Sequence, residues 1–361
     1  MKIATITCHD VYNYGASLQA YALMHYLESL GHQVEIIDYK PSYLSGHYRL
    51  LAAESPRVGS SRLKALLYVF VKLPGRLMMR RRKWAFDRFR DNHLKLTSTR
   101  YGNFSELRDN PPSVDCFIAG SDQIWNTLRP NGKDPAFYLM FAPTGAIRAS
   151  YAASIATDVV EEGDQALMRD GISALDHVSV RESIAVEMLE GMGVGKVTHV
   201  LDPVFLVAME AWRDIGANHH DGQKYVLVYD FDESDEVRRV AIELAEKNGF
   251  QIYSVSQGGY VYAHRRFPHA GPAEFVSLIR NAQAVVTNSY HAIVFSLIFG
   301  VDFYTAGRVE NINSRMADLL AQFQLDMHTL IDMRQHEEKV RRKLEERLLI
   351  SQRFLFGVLA R

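Results

Sequence analysis

The chain has 361 residues, enough for two domains of ordinary size, and its 47% hydrophobic and 23% charged residues are typical of a globular protein with a good core. Its net charge of −1 gives no overall field that would attract nucleic acid, so we expect no nucleic-acid partner. No apolar run reaches about 18 residues and the start, MKIATITCHD, lacks a signal-like region, so we expect a cytoplasmic protein without a membrane-spanning helix.

The first elements predict an α/β domain. A strand is expected in KIATIT (2–7), a helix in LQAYALMHYLESLG (18–31) and a second strand in HQVEIIDY (32–39). This order is typical of doubly wound domains. The intervening loop, HDVYNYGAS (9–17), has a single glycine and lacks the G-x-G-x-x-G fingerprint, which disfavours an NAD enzyme.

A basic helical insertion is predicted at about 60–95. The apolar run ALLYVFV (65–71) precedes RLMMRRRKWAFDRFR (76–90). A basic helix beside an apolar one can lie weakly on an anionic membrane face, through cations and interfacial aromatic side chains. These residues are Arg80, Arg81, Arg82, Lys83, Trp84 and Phe86. The alternative is a solvated charged face with its Leu and Phe residues turned to the core.

Strands return later in the chain, and the polar segment 211–223 predicts a domain boundary. The strands are expected in VDCFIAG (114–120), RASYAAS (148–154), HVSVR (177–181), VTHVLD (197–202) and KYVLVYDF (224–231). Cys8 and Cys116 lie at predicted strands without metal spacing, which indicates a reducing cytoplasm and no disulfide framework. We expect two Rossmann-like domains, 1–210 and 222–335, facing a cleft, and a C-terminal helix over 336–361.

His291 lies where a buried strand ends and a buried helix begins. AQAVV (282–286) predicts the strand, and AIVFSLIFG (292–300) predicts a helix that ends at Gly300. The turn between them would lie at the carboxyl edge of the sheet and at a helix N-terminus, where ligands and anions collect. The alternative is a core histidine with satisfied hydrogen bonds.

Two other turns follow predicted strands. In GSDQIWN (120–126), Asp122 and Gln123 offer polar contacts, and Trp125 offers a flat face for a sugar. The alternative is that Asp122 caps a helix and Trp125 fills the core. In SVRE (179–182), Arg181 suits bidentate binding of a carboxylate or phosphate, or else forms a structural ion pair.

Together these stretches resemble the polysaccharide pyruvyl transferase family. The resemblance rests on NYGASLQAYAL (13–23), GSDQIWN, SVRE, LDPVF (201–205), GPAEFVSLIRNAQAVVTNSYHAIVFSL (271–297) and NSRMADLL (313–320). It implies a two-domain GT-B-like fold, phosphoenolpyruvate as donor, and the sugar of a cell-surface polysaccharide or its lipid-linked precursor as acceptor. It implies no further cofactor and no metal.

The resemblance also implies which residues hold the substrates. His291 and Arg181 would hold the donor, and some relatives carry an arginine where this chain has Tyr290. We expect Asn288, Ser289 and Tyr290 to be donor-binding residues as well. The acceptor-binding residues are expected to be Asn13, Tyr14, Gly15, Gln19, Ser121, Gln123, Trp125 and Asn126.

In a ketal-forming reaction, His291 would donate a hydrogen bond to the phosphate and protonate the bridging oxygen of the donor. Asp122 would accept a proton from a sugar hydroxyl. Two rival functions stay open, because a fold does not fix a function. One is a GT-B glycosyltransferase that uses a nucleotide sugar, and the other is a non-catalytic glycan-binding protein.

Overall fold

The computed structural model describes residues 1–45, 80–216, 222–258, 260–309 and 313–360. Within these ranges the chain forms two α/β domains, each built around a mainly parallel sheet, as expected. The predicted apolar run at 65–71 and residues 76–79 of the basic segment lie outside the described residues. None of the described helices is both long and apolar enough to cross a membrane.

The first domain has a parallel sheet with β1 at its centre, in the order β3-β2-β1-β4-β5, and a neighbouring parallel pair, β6-β7. Its strands are β1 (Lys2–Ile6), β2 (Gln33–Tyr39), β3 (Leu96–Tyr101), β4 (Cys116–Ala119), β5 (Ile147–Ser150), β6 (Val178–Val180) and β7 (Val197–His199). Its helices are α1 (Tyr14–Ser29), α2 (Ser42–Ser45), α3 (Arg80–His93), α4 (Phe104–Asp109), α5 (Glu162–Ser173), α6 (Ser183–Gly191) and α7 (Met209–Ile215). The strand order reverses between β1 and β4, which opens a crevice at their carboxyl ends.

The second domain repeats this plan, with the sheet order β10-β9-β8-β11-β12-β13. Its strands are β8 (Tyr225–Tyr229), β9 (Gln251–Ser254), β10 (Arg265–Arg266), β11 (Ala284–Thr287), β12 (Asp302–Thr305) and the antiparallel edge strand β13 (Leu330–Ile331). Its helices are α8 (Asp235–Asn248), α9 (Pro272–Arg280), α10 (Tyr290–Phe299), α11 (Asn313–Gln322) and α12 (Met333–Leu359). Here the order reverses between β8 and β11, so the loop before α10 lies at the crevice.

Helix α1 begins earlier than the sequence pattern predicts. Asn13 is its N-cap, and the Asn13 side chain accepts a hydrogen bond from the Ala16 amide at 3.3 Å. The first turn therefore contains Tyr14 and Gly15, which we had assigned to a loop. That turn follows β1 at the carboxyl edge of the sheet, so it faces the second domain.

The two domains share a hydrophobic core. The Tyr14 ring stacks on Phe275 of α9 at 4.3 Å, and the Tyr14 hydroxyl donates to the Ala270 carbonyl at 3.0 Å. Trp212 of α7 is fully buried and contacts Tyr21 and Phe295 edge to face. The interface is therefore packed like a domain interior, which fixes the position of one sheet edge relative to the other.

The basic segment is partly a structural element, so two of the residues named for membrane contact are buried, and membrane association of the segment stays a prediction. Arg82 is 2% exposed, and its Nη1 donates to the Tyr14 hydroxyl at 2.7 Å. Phe86 is also buried, and Lys83 is paired with Asp87 on the same helix. Arg82 and Phe86 thus support the domain contact and do not face outward, whereas Trp84 is exposed.

The C-terminal helix returns to the first domain. It runs over Met333–Leu359, three residues earlier than predicted, and the Ser351 hydroxyl accepts a hydrogen bond from the Leu201 amide at 2.9 Å. Arg347 donates to the His199 carbonyl at 3.1 Å. Helix α7 also extends into the first five residues, 211–215, of the segment predicted as the domain boundary.

Candidate active site

His291 lies in the first turn of α10, at the crevice of the second domain. Its ring packs directly on Gly15, so closely that a Cβ atom at position 15 would lie 2.0 Å from His291 Nδ1. Gly15 is in the first turn of α1. The N-terminal ends of two helices, one from each domain, therefore meet at this histidine, and both ends carry positive partial charge.

Asp202 connects the residues around His291. Its Oδ2 atom accepts hydrogen bonds from Arg181 Nη1 at 2.8 Å and Ser121 Oγ at 3.2 Å. His291 Nε2 lies 3.5 Å from the same oxygen, at ion-pair distance but outside hydrogen-bond geometry. Burial alone would raise the pKa of Asp202, but the charges of His291 and Arg181 outweigh it and hold the pKa below its ordinary value.

Arg181 is 2% exposed and lies between two carboxylates. Besides its contact with Asp202, its Nε donates to Glu182 Oε1 at 3.2 Å. Burial alone would lower the pKa of Arg181, but the charge of Glu182 and its other anionic neighbours raise it overall. Arg181 thus forms the structural ion pair that we had considered, at a position beside His291, and its donor-binding role stays a prediction.

Tyr290 lies beside both Arg181 and His291. It is almost fully buried, and the Arg181 guanidinium lies over its ring at 4.4 Å. The same ring meets His291 edge to face at 5.2 Å. Tyr290 therefore contacts both Arg181 and His291 and supplies no positive charge itself.

Arg315 is a site residue that we did not predict. It comes from α11, within the matched stretch NSRMADLL, and is 8% exposed. Among the described residues its Nε has no hydrogen-bond partner. Burial, and then repulsion from Arg181, lower the pKa of Arg315 to about 10, so it stays charged at neutral pH.

The electrostatic neighbours of Arg315 place it at the site. Besides Arg181 they include Glu182, Asp122 and Tyr290. Arginine near the start of a helix is unfavourable with the helix dipole, which is the one signal in the sequence that could have indicated a functional role. Its burial depends on how the two domains pack, and the local pattern does not show that.

Asp122 follows β4, on the first-domain side of the crevice, and is partly exposed. Its backbone has a φ of 87°, a left-handed conformation that non-glycine residues rarely adopt. Such strain often occurs at functional sites. The Asp122 carboxylate accepts a hydrogen bond from the Gln123 amide at 2.8 Å and does not cap a described helix.

The other predicted acceptor residues are mostly buried, and Trp125 corrects our interpretation. Trp125 is 0% exposed, its Nε1 donates to the Phe137 carbonyl at 3.0 Å, and it offers no face for a sugar. Gln19 is also 0% exposed and bonds Thr7 Oγ1 at 2.9 Å. Asn126 donates to Gln123 Oε1 at 2.9 Å, so it supports the loop that holds Gln123.

The two remaining donor-side predictions frame the start of α10. The Asn288 side-chain nitrogen donates to Asp230 Oδ1 at 2.7 Å, and its side-chain oxygen accepts from the Phe231 backbone amide at 3.1 Å. Asn288 therefore holds the loop after β8. Ser289 is the N-cap residue, and its side chain makes no capping hydrogen bond to the described residues. The first-turn amides of α10 are therefore not occupied by the usual side-chain cap. In the described part of the chain, no three His, Cys, Asp or Glu residues group as metal ligands.

Comparison with known proteins identifies the family. The sequence profile described as polysaccharide pyruvyl transferase matches residues 13–306. The chain belongs to the polysaccharide pyruvyl transferase family. The profile match thus confirms, over most of the chain, the resemblance that the sequence motifs indicate. No curated protein is significantly similar to it in sequence.

Solved structures show the fold of this pyruvyl transferase family member. One similar protein is described as a UDP-N-acetylglucosamine 2-epimerase of Listeria monocytogenes, with 11% identity, coverage of 99% of this chain and 95% of that chain, and a TM-score of 0.51. Another is the UDP-GlcNAc 2-epimerase from Neisseria meningitidis bound to UDP-GlcNAc, with 11% identity, coverage of 97% and 94%, and a TM-score of 0.50. These similarities confirm the two-domain GT-B fold and do not extend to an activity.

Proposed function

We propose that the protein transfers the pyruvyl group of phosphoenolpyruvate to two hydroxyls of a sugar in a cell-surface polysaccharide or its precursor, forming a ketal. The observation that supports this most is the cluster of Arg181, Arg315 and His291 at the domain contact. Phosphoenolpyruvate carries a carboxylate and a phosphate on one small carbon skeleton. Such a donor requires several cationic contacts close together, with at least one of them unpaired in the free protein.

Arg315 is the residue best suited to a donor anion, because its Nε lacks a partner among the described residues. Arg181 adds charge from the first domain, although Asp202 and Glu182 already hold it. The meeting first turns of α1 and α10 add backbone N–H groups that point out of the helix ends. A phosphate and a carboxylate can therefore bind near each other, one beside the arginines and one at the helix ends.

The reaction requires proton transfers as well as anion binding. A proton adds to the methylene carbon of the donor, one sugar hydroxyl attacks the enol carbon, the bond from this carbon to the phosphate oxygen breaks, and the second hydroxyl closes the ring. The two hydroxyl protons balance the one gained by the new methyl group and the one carried off by phosphate. General acid–base catalysis of this kind contributes roughly 10²- to 10⁴-fold.

His291 and Asp122 are suited to these proton transfers. His291 Nε2 has no hydrogen-bond partner among the described residues, and it lies 3.5 Å from the Asp202 carboxylate. We assign it as the proton donor. Asp122 lies across the crevice on the first domain and is partly exposed, so we assign it as the base for an acceptor hydroxyl.

The test is to incubate the protein with phosphoenolpyruvate and a panel of glycan precursors, measuring phosphate release and the acceptor mass. The proposal requires a mass gain of pyruvate less water, together with release of one phosphate. Sugar transfer from a nucleotide sugar without any reaction of phosphoenolpyruvate would identify a glycosyltransferase. Glycan binding without either reaction would identify a binding protein, and both results would reject the proposal.

A further inference from the structure

A second pocket opens on the first domain, at the same sheet edge as Asp122. Its volume is about 700 Å³, within the usual range for small-molecule sites. Its walls come from the segments after four strands: Tyr43 after β2, Phe104 after β3, 127–135 after β4, and Glu161 after β5. It is thus part of the carboxyl edge where ligands of α/β sheets bind.

The pocket walls combine aromatic and aliphatic surface with balanced charge. Leu128 is 59% exposed, and Tyr43 and Phe104 add aromatic rings. Among the charged side chains that line the pocket, the cations are Arg129 and Lys133 and the carboxylates are Asp134 and Glu161. A phosphate-bearing ligand would require net positive charge and a lipid tail would require an apolar wall. A sugar, with C–H faces and many hydroxyls, matches this mixture.

The Tyr43 ring is held in place before any ligand arrives. Its hydroxyl and that of Tyr39 donate to the same oxygen of Asp134, at 2.5 Å and 2.6 Å. The other Asp134 oxygen accepts from the Ala136 amide at 2.9 Å. An aromatic side chain fixed in this way loses little conformational freedom on binding, which favours affinity.

One residue that lines the pocket has a buried polar atom without a partner. Thr127 is 1% exposed, and its Oγ1 makes no hydrogen bond with the described residues. Buried hydroxyls normally find a partner, and ligand binding sites are a frequent exception. The hydroxyl is a neutral donor and acceptor, as expected for recognition of a sugar.

One loop, which carries both Asp122 and Thr127, links the pocket to the candidate active site. Thr127 is five residues from Asp122, so the two are at most about 18 Å apart. Asn131, in the pocket wall segment, donates to the Gln123 carbonyl, and Asn126 donates to the Gln123 side chain. The pocket and Asp122 are therefore supported by the same loop, at a separation that a chain of several sugars would have to span.

We propose that this pocket is an acceptor subsite that binds an uncharged sugar segment of the glycan, at a distance from the hydroxyls that react. The inference rests on the proposed function, because it assigns the substrate class of that same crevice. It explains how an enzyme whose Trp125 is buried still offers an aromatic surface to its acceptor. Tyr43 and Phe104 take the place that the sequence had suggested for Trp125.

The binding test titrates the full chain with mono- to tetrasaccharides of glucose, galactose and mannose. Saturation-transfer NMR measures the binding. We expect the longer oligosaccharides of at least one series to bind. Tyr43→Ala and Leu128→Ala should each weaken that binding about tenfold. Tyr43→Phe keeps the ring face but loses the hydroxyl that holds it against Asp134, so its binding should fall between that of the unmodified protein and that of Tyr43→Ala, which separates the loss of a ring face from a loss of folding.

The matched control is Leu349→Ala, which removes another exposed leucine, on the distant helix α12. It should change neither binding nor melting temperature. Failure of every oligosaccharide to bind, or equal binding by Tyr43→Ala, Leu128→Ala and the control, overturns the subsite.

Transfer assays distinguish failure of the subsite from failure of the proposed function. If phosphoenolpyruvate never reacts but Tyr43→Ala and Leu128→Ala still weaken oligosaccharide binding, the proposed function is wrong and the pocket remains a glycan site. If phosphoenolpyruvate-dependent transfer occurs and both variants keep the acceptor KM of the unmodified protein, the subsite is wrong and the function stands. An at least tenfold rise in acceptor KM with an unchanged KM for phosphoenolpyruvate supports both.

Discussion

Replacing Arg315 with methionine should stabilise the protein while weakening donor binding. Arg315 is buried, its Nε is unpartnered within the described residues, and burial and repulsion from Arg181 lower its pKa from its ordinary value to about 10. At about 1.4 kcal/mol per pH unit, the folded state holds this charge at a cost of roughly 3 kcal/mol. Because the folded-state pKa is the lower one, the cost is fully present at neutral pH and disappears only as the pH rises above about 10.

Methionine keeps much of the apolar length of arginine and removes the charge. We therefore expect the free energy of unfolding of Arg315→Met to rise, by up to roughly 3 kcal/mol, in urea titrations at neutral pH. Phosphoenolpyruvate should bind roughly 10- to 150-fold more weakly by calorimetry, the range for a charge-assisted hydrogen bond of about 1.5–3 kcal/mol.

The matched control is Arg82→Met. Arg82 is buried like Arg315 but donates to the Tyr14 hydroxyl and the Tyr12 carbonyl, so its loss should destabilise the protein. If Arg315→Met also destabilises the protein and leaves donor affinity unchanged, Arg315 has a structural role and the electrostatic reasoning is refuted.

Three other substitutions examine the same site. His291→Ala should lower turnover by roughly 10²- to 10⁴-fold with an intact circular dichroism spectrum, and a folded variant with near-normal turnover would contradict the assignment. Arg181→Lys keeps the charge but not the forked geometry, so calorimetry should show donor binding weakened by about 1.5–3 kcal/mol; unchanged affinity would limit Arg181 to its structural ion pairs. Gly15→Ala places a Cβ atom 2.0 Å from His291 Nδ1 and should lower kcat at least about tenfold, because the ring is displaced. The control Gly163→Ala has open space around its Cβ position and should leave kcat unchanged.

The strand-turn-helix around His291 could be predicted from sequence because its signals are local. The run of valines gives β11 (Ala284–Thr287), and Gly300 ends α10 in a left-handed conformation with a φ of 66°. The start of α1 was placed too late, since a capping asparagine before a glycine-containing turn resembles a loop. Local pattern therefore gave the elements at the site, with an error of about one helical turn at α1.

The partners inside the site could not be predicted, because they depend on contacts between distant segments. Asp202 lay in a matched stretch, but nothing local indicates that its carboxylate meets Arg181 and His291. Trp125 follows a strand, as an exposed binding residue would, yet its indole packs parallel to Tyr138 at a centroid distance of 6.0 Å. Whether an aromatic side chain after a strand faces solvent or the core is decided by the loops that cover it.

The charged residues of the site come from both domains, which explains why the apolar domain contact is necessary for the site to form. Arg181 comes from the first domain, whereas His291 and Arg315 come from the second, so the cationic cluster exists only when the domains are packed together. Arg181 repels Arg315, and the charges of Glu182 and Asp122 offset only part of the effect that burial and this repulsion have on the pKa of Arg315. The buried contact around Tyr14 stabilises the packed arrangement independently of these charges. The cluster can thus be held ready with one arginine Nε unpartnered in the described structure, and an incoming dianion gains interactions that the protein has organised beforehand.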